Sequence, residues 1–86
     1  MKIIRINAMW CGGCLSMHKV WKTIEEKYKD IEYIQYDYDM DEDMVKEYNV
    51  GSILPVAIFY KDDIEVARLN GEKTIEEIEG VISKYE

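Results

Sequence analysis

The sequence predicts a single α/β domain with the element order β-α-β-α-β-β-α. A length of 86 residues fits one small domain. Short apolar runs rich in β-branched residues alternate with segments in which apolar residues recur every three or four positions. No linker, repeat or low-complexity stretch divides the chain, so residues 1–86 are expected to form one domain.

The first half of the chain is predicted to form two strands and two helices in alternation. The apolar run Lys2–Asn7 fits a buried strand. From Cys11 to about Lys29 the apolar residues recur at helical spacing, which predicts one continuous amphipathic helix. The stretch Ile31–Asp39 has strand composition and should pair parallel to the first strand, because a right-handed helical crossover joins them. The segment 41–48 is predicted as a short helix with acidic residues in its first turn.

The second half is predicted to form a hairpin and a closing helix. Strands over Val56–Tyr60 and 64–70 flank a turn at 61–63, so they should pair antiparallel. Thr74 and Glu77 have the spacing of a capping box that begins a helix. The apolar stripe of this helix consists of Ile75, Ile78, Ile82 and Tyr85. Together the elements predict a four-stranded mixed sheet with helices on both faces.

Composition narrows the possible partners and the compartment. With 11 basic and 18 acidic residues the net charge is −7, which disfavours nucleic acid or an anionic membrane, because phosphate binding needs Lys and Arg. No apolar run approaches the roughly 20 residues of a membrane span. The start of the chain lacks the features of a secretory signal. We therefore expect a cytoplasmic, monomeric protein whose thiols are kept reduced.

Both cysteines lie in the stretch W-C-G-G-C, where the first strand is expected to meet the first helix. Helix starts carry unpaired N–H groups and partial positive charge, so the pKa of Cys11 is expected to be lowered. Cys14 should lie one turn further in and be better shielded. This pattern predicts that Cys11 attacks a disulfide and that Cys14 resolves the mixed disulfide. Gly12 and Gly13 should leave room for a substrate backbone.

The motif W-C-G-G-C resembles the thioredoxin active site, usually W-C-G-P-C. The element order resembles a thioredoxin that lacks its extra N-terminal strand and helix, close to glutaredoxins in size. The segment Y-N-V-G-S-I-L-P adds to the likeness, since Pro55 matches a cis proline that lies against the cysteines in the family. The resemblance implies that Trp10 shields the pair, that Leu54 offers its backbone to the substrate, and that Gly71 borders the substrate groove.

The function implied by this resemblance is that of a protein-disulfide reductase. Its substrates would be protein or small-molecule disulfides, and its electrons would come from an upstream reductase or glutathione. The Cys11–Cys14 disulfide would itself be the redox group, so no organic cofactor is expected.

Two departures from the family pattern bear on the site. Gly13 stands where the family has proline between the cysteines, a position that tunes the redox potential. Arg5 stands six residues before Cys11, where thioredoxins carry a buried Asp. We expect Arg5 to reach solvent at a strand edge. If it pointed at the site instead, its charge would favour thiolates.

Two other functions remain open. The loop M-x-C-x-x-C from Met9 to Cys14 also resembles that of copper metallochaperones, and paired thiolates suit Cu(I). Those domains run β-α-β-β-α-β and end in a strand, whereas this chain is predicted to end in a helix. Cys11, Cys14 and His18 fall short of the four ligands of a closed zinc site, so no metal is expected. The other alternative is a thioredoxin-like module that docks partners without turnover.

Overall fold

The computed structural model describes residues 1–86. Its elements are β1 (Lys2–Asn7), α1 (Gly12–Ser16), α2 (His18–Lys27), β2 (Glu32–Asp37), α3 (Glu42–Glu47), β3 (Val56–Lys61), β4 (Ile64–Asn70) and α4 (Ile75–Tyr85). The predicted order is confirmed, except that the first predicted helix is divided into α1 and α2. None of the helices combines the length and apolar character needed to cross a membrane.

The four strands form one mixed sheet in the order β2-β1-β3-β4. The central strand β1 pairs parallel with β2 and antiparallel with β3. A tight turn at Asp62 and Asp63, both with positive φ, joins β3 to β4 as an antiparallel hairpin. Such turns match the twist of the flanking strands. The predicted parallel crossover and hairpin are therefore both confirmed.

Hydrophobic cores lie on both faces of the sheet, because side chains alternate along the two central strands. Ile3 and Phe59 face α2 and α4, whereas Ile4 and Ile58 face the side of α3. All four are fully buried. Burial on both faces explains why β1 and β3 read as nearly continuous apolar runs.

The closing helix α4 begins as predicted. The Oγ1 atom of Thr74 accepts a hydrogen bond from the backbone N–H of Glu77 at 3.1 Å, one half of a capping box. Ile78 and Ile82 are fully buried and pack in the same core as α2.

The prediction of one continuous helix from Cys11 to about Lys29 is wrong. The N–H of Met17 is directed to the carbonyls of both Gly13 and Leu15, and with a ψ of −9° Met17 separates α1 from α2. The side chain of Met17 is nevertheless buried, in the same core as Trp21. The apolar periodicity therefore continues across the break, and periodicity alone gave no signal of it.

Candidate active site

Cys11 and Cys14 form a disulfide at the start of α1. Cys11 is the N-cap of the helix, and its extended backbone turns the chain from β1 into α1. Its Sγ accepts a hydrogen bond from the N–H of Cys14 at 3.1 Å. The two Cα atoms lie 5.3 Å apart, within the usual disulfide range. After reduction this N–H can stabilise negative charge on the Cys11 sulfur, while the lowered pKa of Cys11 stays a prediction.

The prediction that Cys14 is better shielded from solvent than Cys11 is wrong when the exposure of each whole residue is compared. Cys11 is 7 % exposed, whereas Cys14 is only partly buried. The reason is that α1 is short and buries none of its residues. Cys14 therefore lines an open cavity beside α1 instead of facing the core.

Pro55 and Gly71 both lie beside the cysteine loop. The Leu54–Pro55 peptide bond is cis, as the resemblance implies. The N–H of Gly71 donates to the carbonyl of Pro55 at 2.8 Å, which joins the two segments. Gly71 has a φ of +88°, a conformation that favours glycine. Leu54 is partly buried next to this pair.

The two glycines between the cysteines have different surroundings. Gly12 is exposed, and a Cβ added there would meet nothing within 4 Å. A Cβ on Gly13 would lie 3.1 Å from Cγ of Glu72 and 3.4 Å from Cδ of Pro55. The prediction of open space thus holds for Gly12 and is wrong for Gly13, because the loop after β4 folds back over it. Sequence reasoning missed Glu72, which is remote from the cysteines along the chain.

Trp10 is 62 % exposed and leans toward the end of β2. Its Nε1 donates to Oδ2 of Asp39 at 2.7 Å, and its ring lies edge-on to Tyr38 with centroids 6.0 Å apart. That it shields the cysteine pair stays a prediction. Asp39 belongs to an acidic stretch that typically marks a helix start, so its bond to Trp10 was also missed.

Large apolar side chains are exposed around the disulfide. We call this group the apolar rim; it consists of Met9, Trp10, Leu15 and Ile53. Met9 and Leu15 line the same cavity as Cys14, and the side chain of Ile53 lies near Gly71. Exposed apolar side chains that cluster around a site are typical of surfaces that bind other molecules.

The expectation that Arg5 reaches solvent at a strand edge is wrong. Its strand β1 is central in the sheet, and the side chain is only 11 % exposed. Its Nη2 donates to Oε1 of Gln35 at 2.9 Å and to Oε2 of Glu25 at 3.4 Å. The guanidinium also lies 5.0 Å from the ring centre of Trp21. Burial lowers the pKa of Arg5, and the charge of Glu25 partly offsets this shift.

His18 is exposed at the start of α2 and lines the cavity that Cys14 and Arg5 share. No group of three or more His, Cys, Asp or Glu side chains is arranged to hold a metal ion. The helix between β2 and β3 and the helical end of the chain also differ from the β-α-β-β-α-β order of copper metallochaperones. The metallochaperone alternative therefore finds no support in the structure.

The fold and the site geometry can be compared with known proteins. The thioredoxin family model matches residues 1–84. This chain belongs to the thioredoxin family. Thioredoxin H8 of Arabidopsis thaliana is 32 % identical over 83 residues, and a thioredoxin of Ophiophagus hannah is 30 % identical over 83 residues.

Solved thioredoxin structures share the fold. A thioredoxin from Nicotiana alata superposes with a TM-score of 0.90 at 31 % identity, over 98 % of this chain and 71 % of its own. A reduced thioredoxin pre-protein from Schistosoma mansoni gives 0.89 at 29 % identity, over 99 % and 78 %. The chain matches 96 % of its length to the Arabidopsis and Ophiophagus thioredoxins, and spans 55 % and 77 % of their lengths. The structure is thus a compact form of the thioredoxin fold.

Proposed function

We propose that this thioredoxin-family protein is a thiol–disulfide oxidoreductase that reduces protein disulfides. The observation that carries the proposal is the Cys11–Cys14 disulfide at the start of α1, with the N–H of Cys14 bonded to the Cys11 sulfur. Pro55 and Gly71 beside the loop, and membership of the thioredoxin family, support the same function.

The proposed reaction begins with the reduced pair. The Cys11 thiolate attacks one sulfur of the substrate disulfide, so a Cys11–substrate bond forms and the other substrate sulfur leaves and takes up a proton. Cys14 then loses its proton and attacks the Cys11 sulfur. The Cys11–Cys14 bond forms, and the second substrate sulfur leaves as a thiol. The substrate has gained two electrons and two protons, and the cysteine pair has lost them.

The surroundings of the disulfide favour an extended protein segment as substrate. Gly12 leaves open space above the loop, and the backbone at Leu54 lies next to Pro55. The apolar rim offers side chains that a peptide can cover. Leu54 would bond the substrate backbone, Gly71 would border it, and Trp10 would cover the reacting sulfurs. We further propose a monomer in the cytoplasm that takes part in redox homeostasis, with electrons from an upstream reductase or glutathione and no organic cofactor.

Insulin reduction with dithiothreitol as electron donor tests this proposal. We expect the unaltered protein to accelerate the reaction and Cys11→Ser to abolish the acceleration, because the attacking sulfur is gone. Cys14→Ser should instead accumulate a mixed disulfide with the substrate. Thr23→Ser, an exposed substitution on α2, serves as the control and should retain full activity.

Equal rates for the unaltered protein and Cys11→Ser would contradict the proposal. Retained partner binding without turnover would then favour the non-catalytic docking module. Redox titration against glutathione and dithiothreitol buffers would place a working pair on the scale from reductant to oxidant.

A further inference from the structure

Arg5 is a mostly buried cation whose hydrogen bonding is incomplete. Its Nε is buried and has no hydrogen-bond partner. The contact of Nη2 with Glu25 is long, at 3.4 Å, and the Glu25 side chain is 40 % exposed. Solvent therefore screens Glu25 more than it screens the guanidinium. Part of the positive charge of Arg5 is left without a close counterion.

The unbalanced charge borders the cavity that Cys14 lines. About 200 Å³ of this cavity is accessible to water, and the cavity is open to solvent. Its other ionisable lining groups are His18 and Asp37. Asp37 already accepts hydrogen bonds from the N–H groups of Asp39 and Met40, each at 2.9 Å. Arg5 is thus the one Lys or Arg side chain that lines the cavity of Cys14.

The remaining charged groups around Arg5 lie on its other side. Lys22, Glu25, Glu26 and Lys29 border a neighbouring cavity that Arg5 also lines and Cys14 does not. Tyr33 faces Arg5 from β2, and burial raises the pKa of Tyr33 to about 12, so its phenol is neutral at physiological pH. Only Glu25 opposes the charge of Arg5 by direct contact.

We propose that Arg5 is a positioning residue for the resolving step, whose charge stabilises the Cys14 thiolate across the shared cavity. A nearby positive charge favours the ionised form of a thiol, and partial exclusion of water strengthens the effect. The inference rests on the proposed function, in which Cys14 must lose its proton to solvent before it attacks the Cys11 sulfur. A larger thiolate fraction makes that attack faster and stabilises the reduced pair.

The test is a pH titration of the Cys14 thiol in the full chain. The substitution Cys11→Ser leaves Cys14 as the only thiol, and the ultraviolet absorbance of the thiolate reports its ionisation. In this background we expect Arg5→Gln to raise the pKa of Cys14 by about one unit, a tenfold loss of thiolate below the pKa. Arg5→Lys retains the charge and should restore most of the shift. Lys22→Gln removes an equal charge from the neighbouring cavity and should leave the pKa of Cys14 unchanged.

A second variant keeps the test decisive if Arg5→Gln fails to fold. Glu25→Gln removes the opposing carboxylate from the surface and should lower the pKa of Cys14, opposite in direction to Arg5→Gln. Glu26→Gln removes an equal charge from the neighbouring cavity without a contact to Arg5 and is the matched control, which should leave the pKa of Cys14 unchanged. An unchanged pKa of Cys14 in a folded Arg5→Gln overturns the inference, as does an unchanged or raised pKa in Glu25→Gln, or an equal fall in Glu25→Gln and Glu26→Gln. The titration needs no turnover, so its outcome is independent of the insulin assay that tests the proposed function.

Discussion

Helix α2 carries two ion pairs, one with α4 and one with β1, and they differ in how completely they are satisfied. Toward α4, Lys27 and the phenol of Tyr28 both donate to the same carboxylate oxygen of Glu79. Near the cysteines, Arg5 contacts Glu25 at 3.4 Å and leaves its buried Nε without a partner. We call the first region the α2–α4 seam and the second the cysteine end.

The difference separates stability from reactivity. The α2–α4 seam combines a satisfied polar group with fully buried apolar side chains such as Ile78 and Ile82. The cysteine end exposes the apolar rim and retains a partly unpaired charge. Groups left unpaired or exposed remain available to a substrate or a reacting atom, whereas satisfied groups hold elements together. We expect side-chain substitutions at the seam to change the free energy of unfolding without changing thiol chemistry, whereas charge substitutions at the cysteine end should change thiol chemistry.

The largest effect on stability is expected from Ile82→Ala at the seam. Ile82 is fully buried, and truncation of a buried Ile to Ala costs about 2–5 kcal/mol in lost burial and a residual cavity. Urea unfolding measures the loss, and iodoacetamide alkylation of the reduced, folded variant should proceed at the unaltered rate. A changed alkylation rate in folded protein would break the proposed separation of the two regions.

Gly71→Ala should have an intermediate effect, because it forces a side chain into the left-handed backbone region at the cysteine end. The left-handed backbone conformation should cost about 1–2 kcal/mol of unfolding free energy. No steric clash adds to this cost, because the added Cβ meets only Ile53 Cγ2, at an ordinary distance of 3.9 Å. Gly80→Ala, in α4 with open space around it, is the matched control and should stabilise the protein by about 0.5–1 kcal/mol. Urea unfolding of both variants checks the opposite signs, and equal signs would contradict the argument.

The smallest effect is expected from Glu79→Gln, and it should depend on pH. Hydrogen bonds from Lys27 and then from Tyr28 lower the pKa of Glu79, while the bond to Glu79 raises the pKa of Lys27. The Glu79 contribution to stability is therefore present above its unfolded pKa and is lost as pH falls through the folded pKa. The Lys27 contribution is present below its unfolded pKa and is lost as pH rises through the folded one.

Thermal unfolding across pH checks this expectation. The difference in stability between the unaltered protein and Glu79→Gln should be greatest near neutral pH and should shrink in acid. It should also shrink when salt is added, because the pair is exposed. A difference that persists unchanged in strong acid would show that the seam does not depend on this carboxylate charge.

Local patterns predicted most of the fold. Apolar runs rich in β-branched residues predicted the strands, and helical apolar spacing predicted the helices. Thr74 and Glu77 marked the start of α4, and the resemblance supplied the cis bond at Pro55. Most of the wrong predictions share one cause, which is contact between segments distant in sequence. Arg5 was expected at an edge because pairing of β3 with β1 cannot be read from β1 alone.

The cysteine end shows the same limit within the candidate site. The prediction located the cysteine pair, since adjacent sequence carries that chemistry. It missed the cover over Gly13, which comes from Glu72 after β4, and the bond from Trp10 to Asp39 after β2. It also missed the break at Met17, because the Met17 side chain is itself buried with Trp21 and so keeps the helical apolar spacing intact.

The hydrogen bond between Gly71 and Pro55 has a consequence for how the proposed substrate would dock. Pro55 directly precedes β3 and Gly71 directly follows β4, and the adjacent residues Val56 and Asn70 are partners in the hairpin register. The two residues proposed to border the substrate groove thus flank a single β-hairpin, so no separate segment has to close over the substrate. We expect docking to leave this hairpin in place, so that the ordering entropy falls mainly on the incoming segment.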